Sequence, residues 1–159
     1  MRAITVRQPY AWAIAEGWKP VENRNQNIAG KHRGPVAIHA GLVWDLASTP
    51  DLQGFGNSAV MSDLLERLGI DRDNAAGAYF HRAAVVAVVD LVDVHCGWVE
   101  GPPCSPWALD YVGRIGQYHL VLKDPIPLDE PVPCKGRLGM WTLPADVEAR
   151  VLEQIGASS

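Results

Sequence analysis

The stretch ITVRQPYAWAIAEGWKPVENR, residues Ile4 to Arg24, decides the reading of this chain. Ile4, Thr5 and Val6 are β-branched and suit the inside of a short strand over Ala3–Arg7. Pro9 follows as a first helical residue, because its ring already holds φ near the helical value and its missing N–H would have had no partner there. Ala11, Ile14 and Ala15 continue that helix, and Gly17 marks its stop. Pro20 cannot extend a helical ladder, so Lys19 to Arg24 leaves as extended chain. With a repeat of two, Glu22 and Arg24 then fall on one face and Val21 on the other.

A carboxylate beside a guanidinium stays ionised and fixed in orientation. In a cleft it accepts from the exocyclic amine of a cytosine or adenine while neighbouring cations take a phosphate. Lys19 serves that site as a point charge or, if the cleft is dry, as an acid with a lowered pKa. The competing reading of Glu22 and Arg24 is a structural ion pair that holds the strand to the first helix.

Outward from this stretch, Pro35–Ala40 alternates as a strand, and Ala83–Val94 is a longer one rich in valine. Tyr118–Lys123 and Leu138–Leu143 are further apolar segments, separated by a run containing Pro125, Pro127, Pro131 and Pro133. Proline donates nothing to a ladder, so that run reads as an edge or a crossover. Residues Val43 to Phe80 read as an insertion, with loop punctuation at Gly54–Asn57. It carries one helix on Met61, Leu64, Leu65 and Leu68, an N-terminal box from Asp63 and Glu66, and a stop at Gly69. A last helix at about 145–155 shows Val147, Val151, Leu152 and Ile155 at helical spacing. Several short strands with few helices point to an α+β chain built on a small closed or nearly closed sheet.

The 159 residues fit one domain with its own core, and no apolar stretch approaches the roughly 20 residues needed to cross a bilayer. Three cysteines, Cys96, Cys104 and Cys134, form no disulfide framework, so a reducing, cytoplasmic setting is expected. The net charge of −4 weighs against a phosphate-rich partner, but its distribution changes that. Residues 1–40 hold six bases (Arg2, Arg7, Lys19, Arg24, Lys31, Arg33) and two acids (Glu16, Glu22), a balance of +4, which leaves −8 for the rest. A basic patch on an acidic body is compatible with that split.

The same stretch resembles the opening of the ASCH family, whose signature is a Q-P-W-A helix followed by G-x-K-x-x-E-x-R. Gly17, Lys19, Glu22 and Arg24 match the four fixed positions, while Tyr10 stands where the family usually has tryptophan. The resemblance continues through His32-Arg33-Gly34, His39-Ala40, the strand Val88–Val94 and PVPCKGRLGMW at Pro131–Trp141. It implies a PUA-like β-barrel flanked by helices, with the motif residues lining a cleft that handles RNA, single-stranded nucleic acid or a nucleoside. One branch hydrolyses acetylated cytidine with a lysine and a threonine of this motif. Lys19 matches that lysine, but Glu22 occupies the position of the threonine, so that chemistry is not expected here. Other members are described as ribonucleases.

These readings converge on a nucleic-acid-binding cleft lined by Lys19, Glu22, Arg24, Arg33, Trp12 and Lys135; Trp12 and Trp18 are candidates to stack bases, although a tryptophan near a short helix is more often a core residue. If the cleft is catalytic, as a metal-independent ribonuclease or nucleoside amidohydrolase, Lys19, Glu22 and His39 are the acid-base candidates. A protein-interaction adaptor is the third reading, favoured if the cations scatter. No cofactor and no membrane contact are expected. His95, Cys96 and Cys104 do not fit the usual zinc spacings, so no metal is expected either. Gly113-Arg114-Ile115-Gly116 and Gly136-Arg137-Leu138-Gly139 read as turns before strands; Lys135 and Arg137 extend the basic rim if the glycine between them lets the backbone approach a ligand, and a solvated turn is the favoured reading of Arg137.

Overall fold

The computed structural model describes residues 1–44, 56–70, 80–98, 102–112 and 114–157. The expected punctuation at Gly54–Asn57 falls partly outside the described residues, as does Gly113. In chain order the elements are β1 (Arg2–Gln8), α1 (Tyr10–Ala15), β2 (Val21–Arg24), β3 (Gly34–Trp44), α2 (Gly56–Arg67), β4 (Ala84–Cys96), β5 (Tyr111–Val112), β6 (Ile115–Gly116), β7 (Tyr118–Pro133), β8 (Met140–Thr142) and α3 (Ala145–Ala157).

Six strands form one mixed sheet in the order β2-β7-β4-β3-β1-β8, and β5 and β6 make a separate ribbon. Among the described strands only β1 and β3 run parallel, with Thr5 beside His39; the other pairs are antiparallel. Alternation along the strands separates two cores. Ile4, Val6, Val36, Ile38 and Leu120 pack with α1 and α2, while Ala3, Ala37, Val85 and Val132 pack with Trp141 and the Val147 and Val151 stripe of α3.

The α+β class holds, but the sheet is not closed by strand pairing, because among the described strands β2 and β8 are its two edges. A side chain takes over where pairing stops. β8 pairs with β1 only from Arg2 to Ile4, and the next carbonyl on β1, that of Thr5, accepts a 2.7 Å hydrogen bond from Arg24 Nη2 on β2. The two ends of the sheet are thus brought together by a guanidinium.

The proline run continues β7 rather than breaking it. Pro127 lies opposite Ala87 and Pro133 opposite Ala84, with register shifts between them. β2 covers the other side of β7 only over Tyr118–Val121, so these prolines lie where the strand has a single strand neighbour. α2 already begins at Gly56, so Asp63 is not at its start; it pairs instead with Arg67 one turn on, at 3.0 Å. No helix among the described residues is long and apolar enough to cross a membrane.

Candidate functional site

A cleft of about 1120 Å3 opens beside β1 and β3. Thr5 and Arg7 of β1 and His39 and Gly41 of β3 form one wall by the period of two. Glu22 and Arg24 of β2 form another, and the 133–139 turn leading into β8 closes over them. The cleft therefore draws on segments far apart in sequence that the sheet order makes neighbours.

Glu22 is the anchor of the site. Its Oε2 accepts a 2.8 Å hydrogen bond from Lys19 Nζ, and its Oε1 lies 3.2 Å from Arg24 Nη2. Gly17 (φ +76°) ends α1 and Lys19 N then bonds the carbonyl of Ala13, which aims the lysine stem inward. Nζ meets the Val21 carbonyl and the face of Tyr10, 5.7 Å from the ring centroid. Burial pulls the Lys19 pKa below its ordinary value, with Glu22 opposing that pull in part. Burial pushes the Glu22 carboxyl up, but Lys19 and Arg24, with Arg7 behind them, outweigh it and leave the group below the usual range. Glu22 is therefore a fixed, ionised acceptor, as the sequence spacing suggested.

His39 lies in the floor of the cleft, 2% exposed and edge-on to Trp141. Its Nε2 donates to the Cys134 carbonyl at 3.0 Å, so Nδ1 carries the lone pair, and Nδ1 is buried without a hydrogen-bond partner among the described residues. Desolvation lowers its pKa, which keeps the ring neutral. Nδ1 faces Gly136, where a Cβ would stand 2.7 Å from it and 2.9 Å from Thr5 Oγ1. Glycine is the residue that lets the turn sit on the imidazole. Gly136→Ala is expected to lower stability by about 1–3 kcal/mol, read from urea unfolding, because the methyl must displace His39 or lift the turn. The hydroxyl of Thr5 in the cleft wall donates to the Arg137 carbonyl at 2.9 Å and accepts from Trp141 Nε1 at 3.3 Å. It is committed to holding the turn and is poorly placed as a nucleophile.

Of the expected site residues, the structure brings together Glu22, Arg24, His39 and Lys135 in the cleft. Three are corrected. Lys19 is 1% exposed and spends its donors on Val21 and Glu22, so it positions the carboxylate and does not reach a phosphate. Trp12 packs edge-on against Phe80 at 5.3 Å in the main core and offers no face to the cleft. Arg33 bonds the carbonyls of Gly30 and His32 and lies 3.8 Å from Asp93, away from the cleft. Trp18 is exposed, but it borders a separate cavity of about 460 Å3 between α2 and Trp107. Arg7, counted in sequence only among the bases of the first third, and Arg137, read there as either basic rim or solvated turn, are both exposed and both line the cleft. The alternation of Thr5 and Arg7 on β1 was the available signal for the first.

No protein-family model matches the chain, and no curated protein matches it. Solved structures do. The chain is similar to a tyrosine-to-phenylalanine variant of the ASCH protein from Zymomonas mobilis at 13% identity and a TM-score of 0.51, with 96% of each chain covered. A second structure of the Zymomonas mobilis ASCH protein aligns at 11% identity and a TM-score of 0.49, covering 96% of this chain and 93% of that one. At this identity the likeness speaks for the fold, and the fold is ASCH-like.

Proposed function

We propose that the cleft binds single-stranded RNA or a related single-stranded nucleic acid, with a base amine on Glu22 and the backbone along Arg7, Lys135 and Arg137. The observation that carries this reading is the ionised Glu22 carboxylate, held by Lys19 and Arg24 inside a large open groove whose rim is cationic. A fixed acceptor beside phosphate-ready cations selects a base bearing an amine and leaves the strand itself read by charge. Arg7, Lys135 and Arg137 supply that rim in a chain whose net charge is −4, which makes it a local feature against an acidic surface. The three thiols, free in the structure, suit a reducing, cytoplasmic setting.

Filter binding with cytosine-rich, adenine-rich and uracil-rich oligoribonucleotides tests the proposal. Three or four neutralised phosphates give a log–log salt slope of about −2 to −3 for a single strand. Binding that is flat in salt removes the rim from the argument. A uracil-rich strand that binds as well as the others removes Glu22 as a base reader.

A further inference from the structure

We propose that His95, Cys104 and His119 form a binding site for a borderline divalent metal ion of the zinc class, with a fourth position open to solvent or an incoming ligand. The donor atoms of these three side chains lie within 4.8 Å of one another. His95 on β4 is the direct register partner of His119 on β7, so one pair of the antiparallel ladder presents two imidazoles to the same side. Cys104 reaches them from the segment that follows β4.

The hydrogen-bond partners determine which nitrogens are bare. His95 Nδ1 lies 2.8 Å from Asp93 Oδ2, and a carboxylate can only accept, so the proton is on Nδ1 and the lone pair on Nε2. His119 Nε2 lies 3.0 Å from the Leu109 carbonyl, so its proton is on Nε2 and its lone pair on Nδ1. These two unprotonated nitrogens face each other at 3.4 Å, and Cys104 Sγ is 3.4 Å from the same Nδ1. Two lone pairs cannot bond each other; the Cys104 S–H satisfies His119 Nδ1 alone, whereas a cation held by the thiolate and both nitrogens satisfies all three at once.

A tetrahedral ion with nitrogen ligands near 2.0–2.1 Å and sulfur near 2.3 Å separates its donors by about 3.4 Å for N–N and about 3.6 Å for N–S. The contacts seen here lie close to both. The outer contacts also fit, since metal-binding histidines typically give their second N–H to a carboxylate or a backbone carbonyl, and here one does each. A donor set of two imidazole nitrogens and one thiolate sulfur suits zinc over calcium or magnesium, which take oxygen. Spacing concealed the site: it skips Cys96, takes Cys104, and finds its third ligand on another strand.

The full chain, stripped with a chelator and titrated with Co2+, is expected to bind one ion with the strong visible bands of a tetrahedral site and a thiolate charge-transfer band, both abolished by Zn2+. Cys104→Ser removes the charge-transfer band, whereas Cys96→Ser and Cys134→Ser keep it. Asp93→Asn weakens Zn2+ binding by about 10–100-fold, and His95→Ala weakens it further while circular dichroism is unchanged. His95 and Cys104 both have solvent-exposed surface, so these variants are expected to fold where the buried His119 is a riskier choice. Substoichiometric binding, a cobalt spectrum without the thiolate band, or Zn2+ affinity unchanged in both Cys104→Ser and His95→Ala overturns the proposal. Any of these makes the facing imidazoles a pair that shares a proton.

Discussion

Glu22→Gln is expected to lower the unfolding free energy by about 3–5 kcal/mol, the cost of leaving a buried charge without its counter-ion. Lys19 is 1% exposed, and the removed carboxylate is its charged partner. The converse change is milder. Lys19→Met leaves Glu22 with Arg24, whose side chain is 26% exposed, so the surviving pair keeps access to water. The double variant Lys19→Met/Glu22→Gln removes both buried charges and recovers most of the lost stability, which separates an orphaned charge from simple loss of packing.

The pH dependence gives an independent check on the same pair. Glu22 has a folded pKa below 4.5, so its contribution is present above that value and is lost as pH falls through the lowered one. The acid limb of the stability curve should flatten in Glu22→Gln. Lys19 has a folded pKa below 10.5, so the cost of burying its ammonium is relieved as pH rises from the folded value toward 10.5. Without the carboxylate that folded value falls further, and the variant should regain more stability than the parent protein between neutral pH and 10.5. A Glu22→Gln protein that melts with the parent at neutral pH would show that the ammonium reaches water, and Lys19 would return to the rim.

The second large effect is on binding. The triple change Arg7→Glu, Lys135→Glu and Arg137→Glu should weaken single-stranded RNA binding by at least about 50-fold at 0.15 M salt, from three phosphate contacts at about 0.7 released ions each. Repulsion by the new carboxylates adds to that. Lys135 and Arg137 are exposed, so the double change Lys135→Glu/Arg137→Glu should shift melting little, whereas Arg7→Glu also places a carboxylate near Glu22; a melt of each variant separates lost binding from lost stability. Equal binding by the triple variant would take the nucleic acid elsewhere on the molecule and leave the cleft to a smaller, uncharged ligand.

The elements around Ile4–Arg24 were legible because each is punctuated locally: a β-branched run, a proline at the helix start, a glycine at φ +76° and a second proline. The facing of Glu22 and Arg24 followed from a period of two. Lys19 was misplaced because sequence cannot tell a lysine at a turn from one whose stem turns under it. Trp12 and Arg33 were assigned by residue type, and type does not say which neighbour arrives first; Phe80 and Asp93 did. The sheet's open edges and the meeting of His95 with His119 depend on strand order, which no local pattern encodes.

Thr5 holds the Arg137 carbonyl, Trp141 reaches back to Thr5, and Arg2 bonds Thr142 and the Met140 carbonyl, so the cleft joins the earliest strand to the latest. A chain emerging from a ribosome can make β1, β3 and β4 pair, yet it has no cleft until the residues around 134–142 are released and the long loop between them and β1 closes. A polypeptide halted before Lys135 would carry Glu22 and Arg24 and still lack the turn that completes the groove proposed as the binding site.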